Sequence, residues 1–93
     1  MKAVLDGRVL ADSDDVVEAG GYHYFARSDV RMQWLEPADK TPRDLQCPHG
    51  VRFFDAVLDG KRYPRVAWSY EKPQPALRAV DQRIGFWEQV EVG

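Results

Sequence analysis

The first part of the chain alternates short apolar runs with turn residues, a pattern typical of β-hairpins. Asp6-Gly7 lies between two apolar-rich runs, and this dipeptide favours a two-residue turn because both central positions of that turn need positive φ. A brief strand is predicted from Val16 to Glu18, and it ends at Gly20-Gly21. The beginning of the chain is therefore expected to be antiparallel β-sheet.

An aromatic strand is predicted next, in the segment YHYFA. Successive side chains of a strand point to opposite faces of the sheet. Tyr22 and Tyr24 are therefore expected on one face, and His23 and Phe25 on the other.

After this strand, the spacing of the apolar positions changes from that of a strand to that of a helix. A short helix is predicted from about Asp29 to Leu35, with Ser28 as its N-cap, Asp29 in the first turn and Pro37 closing the pattern. Residues 36–46 contain two prolines and no apolar period. They are predicted to form a long loop, and such loops are often functional or mobile.

A second hairpin is predicted around Asp59-Gly60. On its second arm Val66, Trp68 and Tyr70 share one face and are expected to point inward together. Pro64 has no N–H to donate to a neighbouring strand, which predicts a sheet edge or a bulge at that residue.

The end of the chain predicts about two helical turns after Pro75, with Leu77 and Val80 inward, and a last strand interrupted near Glu88-Gln89. Together these elements predict a mainly β fold with two short helices. Because one hairpin buries little surface alone, we expect two small antiparallel sheets or a half-open barrel. The 93 residues are predicted to form a single domain, residues 1–93.

Composition narrows the classes of function. The net charge is −2, and without a basic excess or a recognition motif we predict no nucleic-acid partner. No apolar stretch approaches the roughly 18 residues of a membrane span, and no signal peptide is recognised, so a cytoplasmic protein without a membrane partner is predicted. One cysteine excludes an intrachain disulfide and a four-thiolate zinc site.

Aromatic residues, at 12% of the chain, are more numerous than so small a core can hold. Tyrosine and tryptophan combine an apolar body with a polar tip, which suits the wall of a binding cleft. We therefore predict a small-ligand-binding domain, with a homodimeric interaction module as the alternative explanation of the same surplus. The predicted ligand-binding residues are Tyr24, Phe25, Trp68, Tyr70 and Trp87, with Asp29 and Arg31 at the rim.

A third hypothesis is that the protein is a thiol-dependent enzyme. Its candidate catalytic residues are Cys47 and His49. Side chains two apart on a strand point the same way, so His49 could favour the thiolate of Cys47. The alternative is that Cys47 is a small buried side chain at the start of a strand. Cys47, His49 and His23 match no standard zinc spacing, and neither a metal nor a cofactor is predicted.

Several motifs resemble a small bacterial family, number 427 among the domains of unknown function, which also carries a nucleotidyltransferase-like label. The resemblance covers almost the whole chain, and its motifs are GGYHYFARSDVRMQWLEPADKT, CPHG, FFDAVLDGK, AWSYEKPQPA and IGFWEQVEV. It implies an Mss4-like (β-tent) architecture, in which two antiparallel sheets meet at an angle. Methionine-sulfoxide reductases of the B type have a similar shape and usually hold zinc through paired CxxC motifs.

This chain departs from those patterns at two points. It has no CxxC pair, so that zinc is expected to be absent. Family members often read CPWKG or CPYKG where this chain has Cys47-Pro48-His49-Gly50, so the lysine is missing. The nucleotidyltransferase label has no counterpart in the residues, because no glycine-rich phosphate loop is present.

Overall fold

The computed structural model describes residues 1–93, which form nine strands in two antiparallel sheets. The predicted mainly β class with two antiparallel sheets is confirmed. The strands are β1 (Lys2–Leu5), β2 (Arg8–Asp12), β3 (Val16–Ala19), β4 (Tyr22–Phe25), β5 (Leu35–Pro37), β6 (Val51–Leu58), β7 (Lys61–Tyr70), β8 (Ile84–Phe86) and β9 (Glu91–Val92). One sheet has the order β2-β1-β9, and the other has the order β3-β4-β8-β7-β6-β5.

Both predicted hairpin turns are confirmed. Asp6-Gly7 and Asp59-Gly60 have positive φ at both residues, namely 50° and 78° in the first turn and 51° and 81° in the second. The two turns also touch each other: Arg8 donates to the Asp59 carboxylate, and the Tyr63 hydroxyl donates to that of Asp6. The contact ties the three-stranded sheet to the end of the β6–β7 hairpin.

A bulge interrupts β7 where Pro64 predicted one. The register between β6 and β7 shifts between Phe54 and Ala56, and Arg65 in the bulge has a φ of 51°. Pro64 therefore lies in a bulge of β7, outside the part of the strand, Ala67 and Trp68, that pairs with β8.

The helix predicted over 29–35 is replaced by two 3₁₀ turns, Arg27–Asp29 and Met32–Trp34, after which Leu35 begins β5. Ser28 lies inside the first turn and caps nothing. Contacts with β2 explain the difference. The backbone N–H of Arg31 donates to the Leu10 carbonyl over 2.8 Å, which leaves it unable to join a local helix ladder.

The predicted loop over residues 36–46 contains more structure than the sequence indicated. It includes the end of β5 and a one-turn helix, α1 (Pro42–Leu45), which starts with a capping box between Thr41 and Asp44. After β7 the predicted helical turns are a 3₁₀ segment, Pro75–Val80, in which Val80 is buried.

Apolar side chains form two clusters, one on each face of the six-stranded sheet. The main core lies between the two sheets. The second cluster has Tyr24, Val51, Trp68 and Val80 at its centre. Val66 belongs to the main core, so it does not point inward together with Trp68 and Tyr70 as predicted, because the bulge at Arg65 breaks the alternation.

None of the helical segments has the length and apolar composition needed to cross a bilayer.

Candidate functional site

Six aromatic rings form a continuous layer around the second cluster. This aromatic layer comprises Tyr22, Tyr24, Phe53, Trp68, Tyr70 and Trp87. Trp68 lies at its centre, with ring centroids 4.9 Å from both Tyr22 and Trp87. The Tyr22 contact is edge-to-face, at an interplanar angle of 90°, an arrangement that aromatic pairs prefer.

Gly85 creates the space for the centre of the layer. It pairs with Tyr24 on one side and Trp68 on the other. A Cβ at this position would lie 2.9 Å from Cε2 and Cζ2 of Trp68 and 3.0 Å from Cε1 of Tyr24. The two rings therefore meet over a strand position that only glycine fills without a clash.

The middle of the layer is packed solid, so the cleft predicted near Tyr24, Cys47, Trp68 and Tyr70 is not there. None of the surface cavities is lined by any of these four residues. Tyr24 and Trp68 are each 3% exposed, because the surplus rings pack against one another instead of opening a cavity.

Burial also changes the chemistry of the polar tips in this layer. Burial, followed by the neighbouring Tyr70, raises the pKa of Tyr24 to about 12, so its phenol loses its proton only at a higher pH than an exposed tyrosine does. The indole Nε1 of Trp68 is buried without a hydrogen-bond partner, which is rare and costly in folded proteins.

An open cavity of about 380 Å³ lies at the outer edge of the layer. We call it the Trp87 hollow. The rings of Tyr22 and Trp87, 5.6 Å apart and nearly perpendicular, belong to its wall. The lining residues are Gly20, Gly21, Tyr22, His23, Phe86, Trp87, Glu88, Val90 and Val92.

Local sequence explains the shape of this hollow. Gly20 and Gly21 form the turn between β3 and β4, with φ of 59° and 84°, a conformation that glycine adopts at little cost. On the other side the chain leaves β8 at Phe86 and crosses to β9 in the other sheet. Trp87 lies at the start of this crossing and stays half-buried.

Cys47 is half-buried and packs against the second cluster. His49 does not bond to it. Instead, Nδ1 of His49 accepts from the backbone N–H of Gln74 over 2.9 Å, and its ring packs 5.5 Å from that of Tyr70. The structure brings both residues to the rim of the aromatic layer but forms no thiol–imidazole pair.

This geometry predicts that His49→Asn leaves the chemistry of Cys47 unchanged. Asparagine can also accept from the Gln74 N–H, and no imidazole contact with the thiol is lost. We expect the rate of Cys47 alkylation by iodoacetamide to show the same pH profile in both proteins. A profile displaced in the variant would contradict the structural assignment and would support a thiol–imidazole pair.

Three predicted ligand-binding residues lie away from the aromatic layer. Phe25 is fully buried in the main core and packs against Phe86, because strand alternation turns it away from Tyr24. The carboxylate of Asp29 accepts from Ser13 over 2.6 Å. Arg31 lies over the ring of Trp34, so neither Asp29 nor Arg31 forms a rim for the predicted cleft.

Comparison with known families assigns the chain as a whole. The model of the domain of unknown function DUF427 matches residues 1–93. The chain belongs to the DUF427 family. A search among curated proteins finds no match.

The motifs that indicated DUF427 have structural roles in this domain. Cys47-Pro48-His49-Gly50 forms a turn in which the Gly50 N–H donates to the Cys47 carbonyl over 3.2 Å. Asp59-Gly60 forms the β6–β7 turn, and Trp68 and Tyr70 belong to the aromatic layer. The Mss4-like relationship implied by the resemblance stays a prediction.

The sequence reading missed three residues that shape this site in the DUF427 domain. Tyr22 shares the face of Tyr24 by strand alternation, which was a usable signal. Phe53 lies opposite Trp68 on β6, which the hairpin register would have indicated. Arg65 lies 4.0 Å from the Phe53 ring centroid and forms an ion pair with Asp44, and no local pattern predicts either contact.

Proposed function

We propose that this DUF427 protein is a cytoplasmic small-ligand-binding domain whose ligand occupies the Trp87 hollow. The observation that carries the proposal is the perpendicular pair of half-buried rings, Tyr22 and Trp87, on the wall of an open cavity. Its volume of about 380 Å³ lies within the range of small-molecule sites, which are mostly apolar with a few polar groups.

The polar groups around the hollow favour a ligand with a positive charge. Glu88 is exposed on the wall. The ring of His23, also on the wall, lies 3.2 Å from the carboxylate of Glu18. Aromatic faces also attract cations. A ligand with a flat apolar body and an ammonium group would match both features.

The test follows the indole N–H signals in ¹H–¹⁵N NMR spectra during titration with benzylamine, and with benzoate as the matched anion. The chain has three tryptophans, and each gives one such signal. Trp34 is an internal control, because it is half-buried like Trp87 but packs against the main core.

We expect benzylamine to shift the Trp87 signal in a saturable way, with Trp34 unchanged and benzoate binding more weakly. If the cavity binds no ligand, benzylamine should give no saturable shift of the Trp87 signal, or should shift the Trp34 and Trp87 signals equally. Either of those results would overturn the proposal.

A homodimeric interaction module is the second candidate. Strands β3 and β5 end the six-stranded sheet, and free strand edges can pair with a second copy. A solution mass equal to that of a dimer, with β3 amides protected from hydrogen exchange in the dimer only, would favour this candidate over the ligand-binding domain.

A further inference from the structure

A second cavity, of about 390 Å³, is rich in arginine and shares no lining residue with the Trp87 hollow. We call it the arginine pocket. It is lined by Arg27, Pro37, Arg52, Phe54, Glu71 and Gln82. Its location, its residues and its charge all differ from those of the Trp87 hollow.

Arg27 is held in place without a counterion. Its Nε donates to the Gln82 carbonyl over 2.8 Å, and its Nη2 donates to the hydroxyl of the fully buried Ser69 over 2.9 Å. Among the half-buried arginines of the chain, Arg27 is the one with no carboxylate within ion-pairing distance. Burial lowers the pKa of this guanidinium, and the attraction of Glu71 opposes that shift only in part.

Arg52 lines the same cavity as this guanidinium. It is the cross-strand partner of Ser69, the residue that Arg27 contacts. Its Nη1 donates to the Ala38 carbonyl over 3.0 Å, which leaves Nη2 free for another acceptor. Two arginines therefore line one small cavity, each with an N–H that no protein group accepts.

The nearest carboxylate does not neutralise the arginine pair. Glu71 accepts from Lys40 over 2.6 Å, and its other oxygen lies 3.9 Å from Nε of Arg52. The hydrogen bond from Lys40 is the main cause that lowers the pKa of Glu71. Three cations and one carboxylate thus meet here, in a chain whose net charge is −2.

We propose that the arginine pocket binds the oxyanion group, phosphate or carboxylate, of a small organic molecule. Guanidinium groups match the geometry of both oxyanions through paired hydrogen bonds. The bonds of Arg27 to Gln82 and Ser69 hold the donor in position before binding, which lowers the entropic cost. The cavity is large enough to hold an organic body attached to the anion.

The experiment titrates the protein with inorganic phosphate and, separately, with acetate, at constant ionic strength. The observables are the Nε–H signals of Arg27 and Arg52 in ¹H–¹⁵N NMR spectra. The variant is Arg52→Gln. The matched control is Arg62→Gln, which removes the same charge from the exposed Arg62, an ion-pair partner of Glu36 and Asp55.

We expect saturable shifts of both arginine signals with at least one of the two anions. The anion that binds more tightly assigns the ligand as a phosphate or a carboxylate. Arg52→Gln should weaken binding about 10- to 100-fold, the range expected for loss of a charge-assisted hydrogen bond, and Arg62→Gln should leave it unchanged.

Two results would overturn the proposal. One is the absence of a saturable shift up to about 20 mM of either anion, which is beyond the millimolar affinity of weak sites. The other is an equal loss of binding in Arg52→Gln and Arg62→Gln, which would indicate a general charge effect. The shifts in the unmodified protein test the pocket even if a variant folds poorly.

Discussion

Gly85→Ala is expected to lower the free energy of unfolding by about 1 kcal/mol. The new Cβ would lie 2.9 Å from the Trp68 indole and 3.0 Å from the Tyr24 ring, and both rings are buried. Overpacking of this kind costs about 1–3 kcal/mol, and the gain from removing a flexible glycine offsets only about 0.5–1 kcal/mol of it. Thermal unfolding should show a melting temperature lower by roughly 5 °C.

Two further variants separate this clash from a general effect of glycine replacement. Gly93→Ala is the control, because a Cβ there meets no atom within 4 Å. Trp68→Phe removes part of the indole, so Gly85→Ala should cost less in that background than in the unmodified protein. Equal costs in both backgrounds would show that the rings are not what requires glycine at this position.

Asp44→Asn is expected to destabilise the domain by about 2 kcal/mol. The Asp44 carboxylate accepts from Arg65 over 2.9 Å and 3.1 Å and completes the capping box with Thr41. The variant leaves the guanidinium of Arg65, which lies over Phe53, without its counterion. The expected loss of stability is smaller than the full cost of breaking a buried ion pair, because Arg65 is partly exposed.

The same ion pair gives a pH dependence with a definite sign. Hydrogen bonds from Arg65 are the main cause that lowers the pKa of Asp44 to about 2, compared with about 3.9 in an unfolded chain. Because the folded-state pKa is the lower one, this contribution is complete above pH of about 4 and is lost as the pH falls toward 2. The difference in unfolding free energy between the unmodified protein and Asp44→Asn should therefore shrink over that interval.

Asp59→Asn is the matched control for this prediction. It makes the same chemical change in an exposed ion pair with Arg8, at a turn position where asparagine also tolerates positive φ. Chemical denaturation should show a loss below about 0.5 kcal/mol. If Asp59→Asn lowers the unfolding free energy as much as Asp44→Asn does, the Asp44–Arg65 pair stabilises the domain no more than an exposed ion pair does.

Local signals in the sequence predicted most of the strands and both Asp-Gly turns. The conformation of Asp6-Gly7 and Asp59-Gly60 depends on residues that lie next to each other in the chain, so the sequence contains the required information. The segment over 29–35 differs because its backbone is set by bonds to Leu10 and by a bridge between Ala11 and Val30. Partners that far away in sequence produce no periodic pattern of apolar residues within the segment itself.

The candidate sites could be predicted only in part, for the same reason. Alternation along β4 and β7 placed Tyr24, Trp68 and Tyr70 on one face, and that face is aromatic. The strand register and Gly85 bring the rings into contact, so they form a solid layer instead of a cleft. The arginine pocket depends on Arg27 reaching Ser69 across 42 positions of the chain, a contact that no sequence pattern indicates.

The pairing of β1 with β9 has a consequence for the order of folding. The Lys2 N–H donates to the Gly93 carbonyl over 2.8 Å, and the Gly93 N–H donates back over 2.9 Å. Within the domain the β1–β2 hairpin is synthesised before the other strands, yet β9, which also pairs with β1, is synthesised about ninety residues later. The six-stranded sheet has all its strands once β8 has been made, whereas the smaller sheet also needs β9, and its closure joins the strands that are farthest apart in sequence.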